Sequence, residues 1–407
     1  MTVKYFLRTF GCRVNQCETD ELRAQLAAKG CLPAVSLAEA DLCLVNTCAV
    51  TRDADREALK FLRRVTRENP QARLVVTGCL VERAASSVRQ IAPRASLIEN
   101  DRKKALCEIL ELPHLKPQPV ERDRARAFLK IQDGCDGSCS YCVVPLVRPR
   151  LKCLAAETAE RKVEGFVAEG VCEIVLCGIR LGRYRDGATD LVGLLKRLIL
   201  LPGTFRLRLS SLEIGEASDD LALLIASSKG KICPHLHLPL QSGSDVVLRR
   251  MNRPYTASDF ANRVEALHRR IPSLAIFTDI IVGFPAETDS EFQEGLDFAR
   301  GLGLRGLHVF SYSLRDGTRA ASMPDQIPPR VIHERLKAWR ELDHSLRQTH
   351  AQEAMGQERE IVLLKTGSKA LTEDFLTVRL EGVSAPGLQR IRLQAANLAC
   401  RDEKIPV

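Results

Sequence analysis

The chain has 407 residues, of which 45% are hydrophobic and 27% are charged. This length exceeds the usual size of one hydrophobic core, and the ordinary composition argues against a collagen-like, disordered or membrane-spanning protein. Lysine and arginine together number 60 against 51 acidic residues, which gives a net charge of +9. Such an excess fits either a solvated basic surface or a polyanionic partner, because basic side chains gain affinity by displacing counterions from phosphates.

The cysteine content says more about function. The chain has 15 cysteines, a smaller share than disulfide scaffolds have, and the odd count argues against a disulfide framework. The first residues turn polar too soon for a signal peptide. We therefore expect a cytoplasmic protein in which clustered cysteines bind metal or take part in catalysis.

Residues 1–112 alternate strand-like and helix-like segments, which predicts an α/β domain with a parallel sheet between layers of helices. The predicted strands are 4–10, 41–46, 73–77 and 95–99, and the predicted helices are 15–29, 52–68, 81–90 and 102–110. Residues 113–126 contain three prolines and no apolar period, so we interpret this segment as a linker.

The same alternation resumes with longer units over residues 127–355, which predicts a partial barrel of six β/α units. The predicted strands are 127–132, 173–177, 205–210, 235–240, 276–282 and 306–310, followed by a long closing helix over 330–352. Residues 356–407 change character again and are rich in Val, Leu and Ile, which predicts a small C-terminal β domain.

Three cysteines occupy one short loop after the first barrel strand, namely Cys135, Cys139 and Cys142. Thiolates are the ligands of iron–sulfur clusters, and three protein ligands leave one iron of a four-iron cube open to a small molecule. Zinc is the alternative, but a closed zinc site needs a fourth ligand and typically uses C-x₂-C pairs. No second such pair follows here, so the pattern favours an iron–sulfur cluster.

The spacing C-x₃-C-x-Tyr-C after the first strand of a β/α domain resembles the radical S-adenosylmethionine enzymes. This resemblance implies that the open iron binds S-adenosylmethionine, which one electron from the cluster cleaves to a 5′-deoxyadenosyl radical. A radical cofactor suits chemistry at an unactivated C–H bond, which acids and bases alone do not break. The resemblance also assigns Cys135, Cys139 and Cys142 to the catalytic centre.

Three further cysteines each follow a predicted strand of the N-terminal domain: Cys12 after TFG, Cys48 after VNT and Cys79 after VTG. The carboxyl ends of strands in an open α/β sheet form its ligand crevice, so these side chains are expected to converge at one edge. The alternative is three separate buried cysteines that act as small hydrophobic residues.

These segments resemble the N-terminal domain of the methylthiotransferases, a branch of the radical S-adenosylmethionine enzymes. Further matching segments are FLKIQDGC, RLSSLE, HLPLQSGSDVVLRRMNRPYT, TDIIVGFPAET and FSYSLRDGTRA. The resemblance covers roughly residues 4–350 and implies that Cys12, Cys48 and Cys79 hold an auxiliary [4Fe–4S] cluster that delivers sulfur. It also implies a C-terminal RNA-binding TRAM domain, which residues 356–407 match only loosely.

The ends of the barrel strands are expected to face the radical-generating cluster. By resemblance, this rim contacts S-adenosylmethionine, and it comprises Gly178, Ser211, Glu213, Gln241, Ser242, Gly283 and Tyr312. Turn geometry is the alternative reason for these residue types. Arg148 and Arg150 follow the cysteine loop, and their charge suits phosphates of the substrate.

The residues beside Cys12 distinguish three branches of the family by resemblance. Gly11-Cys12-Arg13-Val14-Asn15-Gln16 resembles the GCKVNQ of the branch that acts on threonylcarbamoyladenosine in tRNA. The other branches act on isopentenyladenosine in tRNA or on an aspartate of a ribosomal protein. We expect the Arg13 cation to bind the carboxylate of the threonylcarbamoyl group, although a solvated surface role is the alternative.

The family reaction consumes two molecules of S-adenosylmethionine, one as methyl donor and one as radical source. The resemblance therefore implies two [4Fe–4S] clusters, S-adenosylmethionine, a tRNA substrate, an external one-electron reductant and a sulfur donor. The remaining alternative is a non-enzymatic iron–sulfur RNA-binding scaffold, which would usually complete each cluster with a fourth protein ligand.

Overall fold

The computed structural model describes residues 2–112, 115–118, 125–364, 368–380 and 387–398. Most of the predicted linker 113–126 and the end of the chain from residue 399 lie outside the described residues. Within the described part of the chain, no helix has both the length and the apolar character needed to cross a membrane.

The first region is a parallel five-stranded sheet with strand order β2-β1-β3-β4-β5 and helices on its faces. Its elements are β1 Lys4–Thr9, α1 Arg13–Ala28, β2 Leu32–Pro33, β3 Leu42–Thr47, α2 Arg52–Glu68, β4 Arg73–Gly78, α3 Cys79–Ile91, β5 Ser96–Ile98 and α4 Leu106–Ile109. The predicted α/β sandwich is confirmed. Residues 100–105 form a tighter 3₁₀ segment where a regular helix was predicted, and this turn directs the Lys103 ammonium into the interior.

Helix α2 shows how local sequence sets these elements. Thr51 caps its first turn by accepting a hydrogen bond from the Ala54 N–H at 3.3 Å. Ala58, Leu62 and Val65 recur at helical spacing and are buried against the sheet. The neighbouring strand β3 is buried at every position, as a central parallel strand covered on both faces must be.

The second region is an open six-stranded barrel, as predicted. Its elements are β6 Arg126–Lys130, β7 Gln132–Asp133, α5 Val144–Val147, β8 Lys152–Cys153, α6 Ala156–Ala168, β9 Glu173–Cys177, β10 Arg185–Asp186, β11 Thr189–Asp190, α7 Leu191–Leu198, β12 Arg206–Leu209, α8 Asp219–Ser227, β13 His235–His237, α9 Asp245–Arg250, α10 Ala257–Arg270, β14 Ala275–Val282, α11 Asp289–Gly301, β15 Gly306–Ser311 and α12 Pro329–Ala354.

The barrel wall consists of two parallel three-stranded segments, β6-β9-β12 and β13-β14-β15. Parallel bridges from Leu207 to Ile232 and from Ser211 to His237 join the two segments. Strand β13 is shorter than the predicted 235–240, and Pro239 within that stretch has no N–H for ladder hydrogen bonding.

Helix α1 of the first region lies against the inner face of the barrel. Along β9, Ile174 and Leu176 belong to the core formed with the covering helices, so the alternate residues Val175 and Cys177 face inward. These inward residues pack against Val14 and Cys17 of α1. The N-terminal region therefore covers part of the inner surface of the open barrel.

The third region is an antiparallel sheet with order β18-β17-β16-β19. Its strands are β16 Glu358–Leu363, β17 Lys369–Thr372, β18 Thr377–Arg379 and β19 Leu388–Arg392. This sheet confirms a strand-rich C-terminal region. Its Phe375 is 4% exposed and packs with Phe277 and Cys172 of the barrel, so the sheet closes the end of the barrel where the strands begin.

Two arginines on the inner face of β12 fasten this sheet to the barrel. Arg206 donates to the carbonyl oxygens of Glu360 and Leu371 at 2.8 and 3.0 Å. Arg208 donates to those of Thr372 and Glu373 at 2.9 and 3.0 Å. Both guanidinium groups also pair with the fully buried carboxylate of Glu173 at 2.8 Å. The end of the barrel where the strands begin, here called the barrel floor, therefore depends on a buried ion cluster.

We expect Arg208→Met to lower the free energy of unfolding by about 3–5 kcal/mol, since it removes a partner from a buried carboxylate. Arg300→Met is the matched control, because Arg300 and Asp297 form an exposed pair at 2.6 Å whose loss costs about 1 kcal/mol or less. Urea unfolding followed by circular dichroism measures both. Equal midpoints for the two variants would contradict a structural role for the floor cluster.

Candidate functional site

The structure brings Cys12, Cys48 and Cys79 together at the carboxyl ends of the adjacent strands β1, β3 and β4. Gly11 has a φ of +94°, and a Cβ atom there would lie 2.4 Å from the Cys48 Sγ. This glycine therefore permits the Cys12 and Cys48 loops to approach each other. Burial, and to a lesser extent the nearby Cys12 and Cys79, raise the pKa of the Cys48 thiol to about 12.

The second group, Cys135, Cys139 and Cys142, lies in the loop between β7 and α5. The loop is tied to the barrel by backbone hydrogen bonds from the Cys135 N–H to the Arg148 oxygen at 3.1 Å and from the Ser140 N–H to the Met251 oxygen at 2.9 Å. All three cysteines are partly exposed. The loop is thus fixed at its backbone while its sulfur atoms stay accessible.

Each group of three cysteines has an arginine that donates to one sulfur. Arg148 Nε lies 3.3 Å from the Cys79 Sγ, and Arg253 Nη1 lies 3.3 Å from the Cys139 Sγ. Arg253 also pairs with Glu213. Arg253 was not among the predicted site residues, although it belongs to the NRPYT segment that carried part of the resemblance.

Several predicted rim residues have defined side-chain roles. Glu213 is the carboxylate partner of Arg253, so it reaches the barrel cysteine loop through that arginine. Ser211 Oγ lies 2.6 Å from His237 Nδ1. Gln241 has a φ of +70°, and its backbone bonds to Asp279 and Ile281 join it to β14. These three predicted contacts with S-adenosylmethionine stay predictions.

The other rim residues serve mainly the turns at the strand ends. Gly283 has a φ of +77° and donates its N–H to Glu287 Oε2 at 2.9 Å. Gly178 donates its N–H to Ser210 Oγ at 3.2 Å, and Ser242 Oγ accepts from the Ser244 N–H at 3.2 Å. Tyr312 packs edge-on against Phe284 with ring centroids 5.6 Å apart. Their role toward a cofactor also stays a prediction.

Inside the barrel, three neighbouring strands bring two histidines and an aspartate into contact. Asp279 Oδ1 lies 2.8 Å from His237 Nε2 and 3.2 Å from His308 Nδ1. Burial alone would raise the pKa of the Asp279 carboxyl, but the two histidines hold it well below its usual range. Neither Asp279 nor His308 was among the predicted site residues, although Asp279 belongs to the TDIIVGFPAET segment that carried part of the resemblance. No local pattern connects the three residues, because they lie on separate strands.

The structure corrects the predicted role of Arg148 in binding phosphates of the substrate. Its side chain is 3% exposed, which keeps it from a phosphate at the surface. Its guanidinium donates to Glu18 and Asp133 at 2.8 Å and to Asn15 at 3.2 Å, besides the bond to Cys79. Arg150, two residues on, is 75% exposed and pairs with Asp101 at 3.1 Å, so it remains available to a substrate.

The placement of Arg13 also differs from the expectation. Its guanidinium lies 5.8 Å from the ring centroid of Phe375, at the barrel floor. Burial lowers its pKa, and the cations Arg126 and Arg208 lower it further, whereas Cys177 and Asp279 of the barrel interior raise it. The cation therefore faces the barrel interior and not the three N-terminal cysteines. The structure does not support Arg13 as the residue that reads a substrate beside Cys12.

The donor sets fit iron–sulfur clusters better than zinc. Four sulfurs around a single zinc ion would lie about 3.8 Å apart, from Zn–S bonds of about 2.3 Å. Among the described residues, neither group of cysteines has three sulfur atoms within 4.8 Å of one another. A cube of four irons spreads its thiolate ligands more widely, and partly exposed sulfurs in the barrel loop leave room for a further ligand.

Comparisons with known proteins agree with this reading of the cysteines. Residues 4–99 match the uncharacterized protein family UPF0004, and residues 129–299 match the radical SAM superfamily. The chain is 37% identical to the threonylcarbamoyladenosine tRNA methylthiotransferase MtaB of Chlamydia pneumoniae, over 91% of this chain and 90% of that protein.

The chain is also 34% identical to the tRNA-2-methylthio-N(6)-dimethylallyladenosine synthase of Endomicrobium trichonymphae, over 80% of each chain. Among solved structures, it is similar to the radical S-adenosylmethionine methyltransferase TsrM from Kitasatospora setae, with a TM-score of 0.60 and 14% identity. That similarity covers 79% of this chain and 77% of TsrM. At this identity it concerns the fold alone.

Two separate iron clusters give a direct prediction. Anaerobic reconstitution should load about eight irons per chain if each cysteine group holds a four-iron cube. Changing Cys135, Cys139 and Cys142 together to Ala should remove about half of that iron, because the other group keeps its ligands. Cys17, Cys31 and Cys43 changed to Ala make the control, since these buried cysteines belong to neither group. Full iron in the first variant would contradict the assignment.

Proposed function

The chain belongs to the methylthiotransferase family of radical S-adenosylmethionine enzymes, and we propose that it converts N6-threonylcarbamoyladenosine at tRNA position 37 to its 2-methylthio derivative in the cytoplasm. Two observations taken together carry this proposal: the chain has two groups of three cysteines, and it is 37% identical to a relative named for that activity. A relative named for dimethylallyladenosine is 34% identical, which makes isopentenyladenosine the second candidate substrate.

In this proposal, Cys135, Cys139 and Cys142 hold a [4Fe–4S] cluster that binds S-adenosylmethionine, and Cys12, Cys48 and Cys79 hold the auxiliary one. When bound, these groups supply the one-electron chemistry, methyl group and sulfur that attack on an aromatic C–H bond requires. An external one-electron reductant and a sulfur donor complete the reaction. The cysteine exposures support this division of roles, because two cysteines of the N-terminal group, Cys48 and Cys79, are buried and only Cys12 is partly exposed, whereas all three cysteines of the barrel loop are partly exposed.

The remaining residues of the site orient and enclose the reactants. The Glu213–Arg253 pair fixes a cation beside the Cys139 sulfur. The partly buried His237–Asp279–His308 cluster offers hydrogen-bond donors and acceptors inside the barrel. Helix α1 packs on the inner wall at β9 and so excludes water from the part of the barrel interior that it covers.

A competition between two tRNAs tests the substrate. One carries threonylcarbamoyladenosine and the other isopentenyladenosine at position 37, and the products are measured by mass spectrometry of nucleosides. We expect methylthiolation of the first tRNA only. Wild-type chain without reductant is the control. Equal turnover, or preference for the second tRNA, would show that the chain acts in the other tRNA branch.

We further propose that residues 356–407 form an RNA-binding domain. Strand β19 presents Arg390 and Arg392 as exposed residues, and neither takes part in the buried contacts that close the barrel floor. Deleting the whole segment would also expose the buried arginines Arg206 and Arg208. Surface substitutions therefore separate RNA binding from barrel stability better than a truncation does.

Changing Arg390 and Arg392 together to Glu should weaken tRNA binding at least tenfold. It should also make the salt dependence weaker, because the negative slope of log K against log salt loses about 0.7–0.9 of its magnitude per lost phosphate contact. Arg269 and Arg300 changed to Glu make the matched control, because both are exposed arginines on barrel helices. Fluorescence anisotropy with labelled tRNA at several salt concentrations measures both. Equal losses in the two double variants would argue against a specific role for this sheet.

A further inference from the structure

Arg148 connects the two cysteine groups through a single residue. Its carbonyl oxygen accepts the hydrogen bond of the Cys135 N–H at 3.1 Å, so its backbone holds the start of the barrel loop. Its side-chain Nε donates to the Cys79 Sγ at 3.3 Å. Backbone and side chain of the same residue therefore contact a cysteine of each group.

The direction of the Arg148 guanidinium is fixed by carboxylates from both regions. Nη1 contacts Glu18 of α1 and Asp133 of β7, each at 2.8 Å. Nη2 contacts Glu18 at 3.1 Å and Asn15 at 3.2 Å. Because guanidinium is planar and its donors form a rigid fork, these contacts leave Nε aimed at the Cys79 sulfur.

The surrounding charges keep this arrangement ionised. Lys103 pairs with Glu18, and Lys130 contacts Glu18 at 2.7 Å and Asp133 at 2.8 Å. Burial alone would raise the pKa of the Glu18 carboxyl, but Lys103, Arg148 and Lys130 hold it well below its usual range. The anions that orient Arg148 thus persist at neutral pH, in a pocket with little water to screen them.

We propose that Arg148 is a positioning residue that joins the two cluster sites and raises the reduction potential of the cluster held by Cys12, Cys48 and Cys79. The inference rests on the iron–sulfur assignment within the proposed function. A cation that donates a hydrogen bond to a ligand sulfur stabilises the more negative, reduced state of a cluster, and such bonds are among the factors that set its potential.

The test isolates the auxiliary cluster within the whole chain of 407 residues. Cys135, Cys139 and Cys142 are changed to Ala, so that the only remaining cluster is the one near Arg148. Into this background we introduce Arg148→Met, which removes the charge and the donor, or Arg148→Lys, which keeps the charge but not the fork. Arg150→Met is the matched control, because Arg150 is an exposed arginine two residues away.

The measurement is the midpoint potential of the reconstituted cluster, followed by electron paramagnetic resonance during a redox titration. We expect Arg148→Met to disfavour reduction about tenfold, which is about 59 mV for a one-electron couple. Arg148→Lys should give a smaller shift in the same direction, and Arg150→Met should give none. Arg148→Met leaves Glu18 and Asp133 with fewer partners, so Arg148→Lys decides the question if the first variant does not fold.

The inference would be overturned if the Arg148→Lys and Arg148→Met variants both load iron and both keep the midpoint potential of the parent chain. So would an equal shift in Arg150→Met, which would indicate a general effect of surface charge. These outcomes leave the proposed function intact, because that function is tested by product formation on tRNA. Absence of iron from the parent triple-alanine chain would instead overturn the cluster assignment on which both depend.

Discussion

The relation between the two cysteine groups depends on helix α1, which follows its N-cap residue Cys12 and packs on the inner wall of the barrel that carries the other group. The packing is apolar where Val14 meets Val175 and ionic where Glu18 meets Arg148 and Lys130. Removing one member of such a buried ion network is costly because its partners stay desolvated. The network therefore resists sliding of the helix along the barrel and fixes how the two groups face each other.

The opposite end of the barrel is closed by a second buried ion cluster with a different purpose. Glu173 there is fully buried and pairs with Arg206 and Arg208, whose remaining donors bind backbone carbonyls of the C-terminal sheet. Backbone carbonyls have no side-chain specificity, so this contact constrains the path of the C-terminal chain and not its surface residues. The same sheet is thus free to present basic side chains on its outer strand.

Much of the fold was predictable because it depends on local periodicity. Helix α2 and strand β9 have the bounds that their sequence pattern predicts, and the carboxyl-end rule placed Cys12, Cys48 and Cys79 at one edge of a sheet. The charged residues were harder to place. Arg148 and Arg150 are alike in sequence, yet one is buried and the other exposed.

That difference is set by partners far away in the chain, such as Glu18, which no local pattern connects to Arg148. The same applies to Arg13, whose guanidinium reaches Phe375 at the barrel floor, and to Asp279, whose histidine partners lie on separate strands. Cysteine spacing indicated the candidate ligands Cys135, Cys139 and Cys142, because a cluster bound by one loop imposes a local motif. Long-range ion pairs impose none, so the residues that orient the ligands required the structure.

The two cysteine groups have unlike surroundings, and the difference accords with the unlike tasks proposed for them. In the N-terminal group Cys48 and Cys79 are buried and Cys12 is partly exposed, and the arginine beside Cys79 is held by two carboxylates. The cysteines of the barrel loop are partly exposed, and the arginine beside Cys139 is held by one carboxylate, Glu213. A centre that binds a small molecule needs access and some freedom at its sulfur ligands. A centre that delivers an atom to a positioned substrate gains from a rigid and enclosed ligand set, because misplacement of the reacting atoms lowers the rate steeply.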